Sequence, residues 1–557
     1  MPRTGLRSSL SPWRILGAVA LMVALGAPTF IAPSVPAEEP AIQVADVPTP
    51  PAADALGAGA VAAPDTQAVA AVKKKEIAKK ASASFGEKLL PELIAIGILL
   101  AVILLVILRL PKIELGHSKA YRRRRVMNWL PLGLTYSFLY MARYNLNKAT
   151  EVFEWGHDPP LMTTNDFAII FMIGTIVYGV SFIINGPLTD RFGGRRAILL
   201  GAGGAALANI AMGFVTILAV GSAPGDIPLT PIFAVLYAIN MYFQSFGAVA
   251  IVKVNSSWFH VRERGVFGAI FGILISLGVY FAYDWGKLIV ENVPLEWVFF
   301  LPAIVLLVFF VLDVVFVRDT PGEAGFADFD TADASSGDDG PRLPVAQVFK
   351  MMLTNRIILI IAFIEFSSGF LRQAIMQFYP KFVVATVPGE KPFTFEHWGM
   401  FLCAAGILGG MVAGVISDHL FDSRRGPVSA FLYAVLTVAA VLAVFLFTGP
   451  AMGAIAIVMS LAVIGVHGML SGTASMDFGG RKNAGVAVGI IDGFVYLGTG
   501  LMSLVYSFSL PTSAADKVVA ENWISWPVAM VPFALIGFFL ATRIWNAKPK
   551  SGAASGH

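Results

Sequence analysis

Residues 140–146 read Tyr140-Met141-Ala142-Arg143-Tyr144-Asn145-Leu146, which puts an arginine inside an apolar segment running from about Met127 to Thr150. An ionisable side chain near the centre of a bilayer costs roughly 2.5–3.5 kcal/mol on insertion scales, so such residues face a wet cavity and work there. A second arginine, Arg372 in Gly369-Phe370-Leu371-Arg372-Gln373, lies 229 residues later in another apolar segment. The spacing recurs elsewhere. Gly186-Pro187-Leu188-Thr189-Asp190-Arg191 follows one apolar segment and Gly414-Val415-Ile416-Ser417-Asp418-His419 another, with the two aspartates 228 residues apart. A basic doublet follows each, Arg195-Arg196 and Arg424-Arg425. Two features repeated at nearly one offset predict two homologous halves, as in many secondary transporters, with the substrate site between them at mid-membrane.

Composition agrees. A mean hydropathy of +0.73 with 56% apolar and 14% charged residues is too hydrophobic for a soluble chain of this length, which predicts a polytopic membrane protein in contact with the lipid bilayer. The net charge of +4 is small, and the basic residues form short clusters between apolar segments rather than a stripe with interleaved aromatics, so nothing points to nucleic acid. Cys403 is the single cysteine and falls within a membrane segment, which excludes an intramolecular disulfide.

Residues 1–37 have a basic start, an apolar run from Ile15 to about Ile31, and Val35-Pro36-Ala37 before two glutamates, the pattern of a secretory signal sequence or, failing cleavage, an anchor. An Ala/Pro-rich linker, 38–88, follows and is expected to be periplasmic. An extra span at 89–111 precedes Arg122-Arg123-Arg124-Arg125, which the positive-inside rule places in the cytoplasm. Twelve further segments are expected at about 127–150, 166–188, 197–219, 230–252, 266–289, 296–317, 356–380, 398–416, 427–448, 451–473, 485–508 and 524–545. Alternation then puts every basic cluster from Arg122 onward on the cytoplasmic side, leaving Lys73-Lys74-Lys75 and Lys79-Lys80 of the linker outside it, whereas loops 151–165, 220–229 and 290–295 hold no Lys or Arg, and 381–397 and 509–523 hold only Lys381, Lys391 and Lys517. The expected fold is all-α, with six-helix bundles at 120–317 and 346–546 joined by a solvated, aspartate-rich cytoplasmic linker, 318–345.

Twelve spans in two halves, with Gly-x-x-x-Asp-Arg-x-Gly-Gly-Arg-Arg after the second, resemble the major facilitator superfamily. Within it, Arg143-Tyr144-Asn145-Leu146, Arg-Glu-Arg-Gly at 262–265, Leu371-Arg372 followed by Tyr379-Pro380, and Tyr496-Leu497-Gly498 resemble the organophosphate:phosphate antiporters and their transporter-like sensor relatives, over residues 120–546. The resemblance implies that Arg143 and Arg372 bind the substrate's phosphate from opposite halves. Guanidinium chemistry fits that role, since its planar fork bonds phosphate or carboxylate oxygens bidentately and stays charged in a poorly solvated cavity. Two facing cations repel; a shared anion neutralises them and lets the halves close, which favours exchange over net flux. The competing reading gives each arginine a structural partner such as Glu151 or Glu365. Departures from the family are Phe182 in place of a second-segment lysine, Ile275 and Ser276 in place of a fifth-segment histidine and asparagine, and Gln377 and Cys403 in place of acidic residues. An anionic substrate still follows from the arginine pair, but a familiar sugar phosphate does not.

The candidate substrate-binding residues are Arg143, Arg372, Tyr140, Tyr144, Asn145, Lys253, Gln377, His467 and Asp492. Lys253 is either a cavity ligand or a snorkelling interfacial lysine. Tyr136, Tyr140 and Tyr144 repeat every four residues and either line the cavity or pack the core. His467 and Asp492 bind substrate, carry protons or hold structure by hydrogen bonds. Asp284 and Lys287, three apart, form a structural ion pair more readily than a functional one. The candidate gating residues are Asp190, Arg191, Arg195, Arg196, Asp418, Arg424 and Arg425, expected to hold the cytoplasmic gate by an interhelical charge relay. Gly268, Gly272, Gly278, Gly485, Gly489 and Gly493 suit close helix approach.

The expected function is alternating-access transport of an organic phosphate, or another small organic anion, in exchange for inorganic phosphate across a bacterial inner membrane, by a monomer needing no cofactor and no metal. No Gly-x-x-x-x-Gly-Lys-Ser/Thr motif for ATP occurs, and no nucleophile, metal cluster or paired catalytic carboxylates mark an enzyme. The rivals are proton-coupled uptake through Asp492, Glu365 or His467, and a sensor that binds the anion without moving it.

Overall fold

The computed structural model describes residues 93–94, 96–101, 103–104, 115–260, 263–331, 344–421, 425–471 and 475–546, with backbone alone at 264–271, 345, 414–420 and 475–485. The chain divides into two units, 1–78 and 79–557. The signal sequence, the linker at 38–88 and most of the extra span at 89–111 lie outside the described residues; within that span the described positions are helical.

Twelve long rods follow: α1 (Lys119–Trp155), α2 (Thr164–Phe192), α3 (Gly194–Val220), α4 (Leu229–Trp258), α5 (Arg264–Tyr280), α6 (Trp297–Phe316), α7 (Arg356–Thr386), α8 (Trp398–Leu420), α9 (Arg425–Leu446), α10 (Met452–Met469), α11 (Ser475–Ser509) and α12 (Ser525–Arg543). α5 continues through a π-helical turn, Phe281–Trp285, into a short helix, Gly286–Asn292. Among the described residues there is no strand. Ten of these rods are long and apolar enough to cross a membrane, and α1 and α8 complete the twelve. Helices suit the bilayer because each satisfies its own backbone hydrogen bonds where no water can.

Local signals set several ends. Thr163 and Asp166 form a reciprocal capping box at the start of α2, and Asn355 accepts from the Ile357 and Ile358 amides at the start of α7. α1 begins earlier than the hydropathy suggested, because the Ser118 hydroxyl accepts from the Tyr121 amide at 3.1 Å. The run Arg122–Arg125 is therefore helical rather than loop. Arg124 donates to the Phe316 carbonyl at 2.8 Å, and Arg125 makes a two-pronged contact with Glu263 at 2.9 and 3.0 Å.

Helix pairing carries the internal repeat. α1 packs on α5 and α6, α2 on α4, and α3 on α4 and α6; adding six to each number gives the pairs of the second half, α7 on α11 and α12, α8 on α10, and α9 on α10 and α12. The halves meet through α2 with α11 and α5 with α8, which are the same pair under that operation. Outward faces carry large apolar side chains such as Leu207, Phe445 and Phe508 for lipid.

Glycines make the close contacts. An added Cβ at Gly493 would lie 3.0 Å from the Gly179 carbonyl oxygen, and one at Gly489 2.6 Å from that of Phe182, so α11 runs against α2 almost backbone to backbone. Gly278 meets the Ser137 carbonyl of α1 in the same way, whereas Gly272 faces open space; the surroundings of Gly268 and Gly485 lie outside the described side chains. Within the second half, an added Cβ at Gly369 would fall on the Val495 carbonyl and one at Gly498 on that of Phe366. Gly369→Ala is expected to force α7 from α11 and cost about 1–3 kcal/mol, the usual cost of overpacking. A melting temperature unchanged from wild type in detergent would show that the two helices do not make this contact.

The linker departs from expectation. Rather than remaining solvated, its first part folds back on α1 and α3: Phe326 and Phe329 pack edge-on against Tyr121, and Asp319 accepts from the Arg195 amide at 2.8 Å. Burial pushes the Asp319 carboxyl above its ordinary value, against the pull of the Arg195 and Gly194 amides. Phenylalanines placed among the aspartates supply the apolar surface that docks. Residues 332–343 lie outside the described residues.

Candidate functional site

α1 and α7 run through the middle of the molecule and carry the two arginines inward. Arg143 is fully buried. Its Nε donates to Gln244 Oε1 at 2.8 Å, Nη1 to the Tyr496 hydroxyl at 2.9 Å and Nη2 to the Tyr178 hydroxyl at 2.6 Å. The Tyr140 and Tyr178 rings lie 4.7 and 4.3 Å from its guanidinium carbon, close enough for cation–π attraction. Arg372 is 8% exposed, and its Nε and Nη2 are buried with no hydrogen-bond partner. Its guanidinium carbon lies 5.9 Å from the centre of the Tyr496 ring. Tyr496 on α11 thus touches both cations, and the structure brings the two arginines to one place.

Neither arginine has a carboxylate partner among the described residues. Glu151 pairs with Lys148 at 2.9 Å and Glu365 with His467 at 2.8 Å. The structural-partner reading therefore fails for both candidates that the sequence offered.

Other expected residues divide. Tyr140 lies against Arg143, and the Tyr144 hydroxyl accepts from Gln373 Nε2 at 2.8 Å. Gln377 donates to Gln373 at 3.1 Å, and its Oε1 accepts from Asn147 and Tyr283, each at 2.9 Å. These residues join the halves just beyond the arginines. His467 and Asp492 sit behind Arg372, with Asp492 accepting from the Ser471 hydroxyl. Asn145 is not in the site: it points into the first half, donating to Asn209 at 2.8 Å and to the Val298 carbonyl at 2.9 Å. Lys253 is not there either; it pairs with Asp190 at 2.7 Å at the end of the molecule that carries the arginine run. Asn145 follows from helix rotation, since two residues beyond Arg143 the side chain has turned by about 200°, and Lys253 lies near the far end of α4, away from the arginines.

At that basic end, Asp190 meets Lys253 rather than its own doublet. Arg195 reaches the Val314 carbonyl at 2.6 Å, Arg191 and Arg196 are exposed, and Arg425 donates to the Met469 carbonyl at 3.3 Å. The Asp418 side chain and Arg424 lie outside the described residues.

The opposite end is closed by contacts between halves. Glu154 accepts from Lys517 at 2.6 Å and from the Thr164 amide and hydroxyl at 2.9 and 2.6 Å. Asp284 accepts from the Gly399 and Met400 amides at 2.7 and 2.9 Å, capping α8, and Lys287 pairs with Glu396. The expected Asp284–Lys287 pair within one helix is thereby corrected. The π turn re-aims this stretch, and each charge finds a partner in the other half.

Sequence reasoning missed Tyr178, Gln244 and Gln373 and gave Tyr496 no role. A signal existed for Gln244, because Tyr237, Asn240 and Gln244 repeat along one face of an apolar segment. Phe182, where a lysine was expected by resemblance, stacks on Tyr496 with ring centres 5.9 Å apart and walls the site with an apolar face.

The sequence profile of the Major Facilitator Superfamily matches residues 132–503. The chain belongs to the Major Facilitator Superfamily. Curated relatives within this superfamily include the glycerol-3-phosphate transporter of Bacillus subtilis, 26% identical over 465 residues, covering 78% of this chain and 96% of that protein. The membrane sensor protein UhpC of Escherichia coli is 26% identical over 411 residues, covering 70% and 86%. A probable hexose phosphate transport protein of Chlamydia trachomatis is 21% identical over 460 residues, covering 78% and 94%. The crystal structure of a bacterial homologue of the human lysosomal transporter Spinster, inward-facing and unoccupied, matches with a TM-score of 0.56 at 14% identity, over 78% of this chain and 100% of that one, a likeness of fold. This superfamily member is a multi-pass membrane transporter rather than an enzyme.

Proposed function

We propose that the protein exchanges an organic phosphate, or a related small organic anion, for inorganic phosphate across a bacterial inner membrane, by alternating access around Arg143 and Arg372. The observation that carries this reading is the Arg372 guanidinium, buried with Nε and Nη2 unpartnered beside a second arginine. An unpaired buried charge costs several kcal/mol, and a bidentate oxyanion removes that cost while completing the hydrogen bonds. Arg143 donates to three fixed acceptors and offers a positioned cation; Arg372 offers free N–H groups. The relatives that transport glycerol phosphate and hexose phosphate support an anion of this class. With the arginine run in the cytoplasm, the end closed by Glu154–Lys517 faces the periplasm.

Thermal-shift measurements on purified protein against inorganic phosphate, sugar phosphates and dicarboxylates test the assignment. A ligand at 100 times its dissociation constant stabilises by about 2.7 kcal/mol, and a phosphate-bearing compound is expected to give that shift. Stabilisation by dicarboxylates alone would overturn the phosphate assignment. Because two sensors are among the relatives, counterflow in liposomes decides between carrier and receptor: binding without flux would make this chain a sensor.

A further inference from the structure

The end of the molecule closed by Glu154 and Lys517 carries a cation without a countercharge. Lys381, near the end of α7, is 6% exposed, and its Nζ is buried with no hydrogen-bond partner. The charged groups facing it are Glu154, Glu151 and Lys148 of α1 and Lys517, which ends the short helix Ala514–Lys517 between α11 and α12. Lys148 pairs with Glu151 at 2.9 Å and Lys517 with Glu154 at 2.6 Å, so both of these carboxylates are already engaged. The Phe167 ring of α2 lies 4.0 Å from Lys381 Nζ, which gives cation–π attraction but leaves the charge uncompensated.

A buried ammonium is tolerated when an anion completes its hydrogen bonds. Lys381 lies nine residues beyond Arg372, about 13.5 Å along α7 at 1.5 Å per residue, too far for one phosphate group to bridge. Gln373 and Gln377 occupy the interval, bonded to Tyr144 and Asn147 of α1. We propose that Lys381 is an outer anion site: when this end opens, an oxyanion from the periplasm docks on Lys381, beside Lys148 and Lys517, before it passes inward to the arginine pair. This rests on the anion reading above. An ammonium has three donors, and Lys148 and Lys517 each use one on a carboxylate, so all three lysines can turn N–H groups towards one oxyanion. An oxyanion docked there competes with Glu154 for Lys517 and keeps this end open; its transfer to Arg372 restores the Glu154–Lys517 pair and lets the end close.

The test acetylates lysines of the full chain in detergent with an N-hydroxysuccinimide ester, follows each lysine by peptide mass spectrometry, and uses inorganic phosphate as the probe. Lys381 is expected to react without phosphate, as this end opens. Phosphate at ten times its dissociation constant leaves about one site in eleven empty, so acetylation of Lys381 is expected to slow about tenfold, with exposed Lys350 unchanged. The protection is expected to persist in Arg372→Met, which lacks the inner site, and potassium chloride at equal ionic strength is expected not to reproduce it. Protection lost in folded Arg372→Met would mean that phosphate shields Lys381 by closing the protein from the arginine pair, and the proposal would fail. It fails on the wild type alone, whatever the variant does, if chloride protects as well as phosphate or if Lys381 never reacts. A phosphate-induced rise in melting temperature with no protection of Lys381 removes this site and leaves the anion reading standing; no phosphate effect on either measurement overturns both.

Discussion

Arg372→Met is expected to stabilise the ligand-free protein and abolish its response to phosphate, whereas Arg143→Met is expected to weaken both. The two arginines have the same chemistry but different surroundings. Arg372 buries unpaired N–H groups, so replacing it with an apolar side chain of similar length removes a desolvation cost, a gain of about 1–4 kcal/mol by analogy with buried ions replaced in other cores. Arg143 donates to Gln244, Tyr178 and Tyr496, and its loss leaves three buried polar groups without their partner. Hydrogen bonds to charged groups contribute about 1.5–3 kcal/mol each and do not add fully, so a loss of about 3–5 kcal/mol follows. Melting temperatures with and without phosphate read both effects. Equal destabilisation by the two substitutions would mean that Arg372 is already satisfied in the empty protein, and the reading of it as a waiting anion ligand would fail.

Lys517→Met is expected to open the end opposite the basic one. Glu154 and Lys517 are buried in each other's company across the boundary between halves, at 2.6 Å with little side-chain exposure. Removing one member of a buried pair costs about 3–5 kcal/mol because the other charge is left uncompensated. Here only the arrangement that brings the halves together at this end bears that cost, so the equilibrium between closed and open should move by about two to four powers of ten. Spin labels at exposed Asp158 and Glu390, introduced as cysteines with Cys403 replaced by alanine, report the separation. A longer distance distribution in the Lys517→Met protein is the expected result. An unchanged distribution together with a lower melting temperature would make the pair a local brace with no part in gating.

Much of this architecture was legible in the chain itself. The 229-residue offset between Arg143 and Arg372, set beside the 228-residue offset between Asp190 and Asp418, already required a repeat, and the apolar segments already required twelve rods. Both follow from local physics: a bilayer demands about twenty apolar residues per helix, and a charge within one demands a polar neighbour. The identity of that neighbour was not legible. Glu151 and Glu365 were the acidic residues nearest the arginines in the chain, about two helical turns away, and they pair instead with Lys148 and His467. Lys253 went to Asp190, Asn145 turned to Asn209, and Asp284 and Lys287 reached across to the other half instead of to each other.

Residue type and spacing along a helix determine which face a side chain occupies and whether it must be satisfied. They carry no information about what the next helix places opposite. By itself the sequence determined the two halves of long apolar helices and placed one arginine within an apolar segment of each. Only the tertiary structure decided that Tyr496 touches both guanidinium groups, that Tyr178 and Gln244 hold one of them, and that the other is left with buried N–H groups unfilled, because those facts depend on rotation and offset between helices set by glycine contacts such as Gly179 on Gly493.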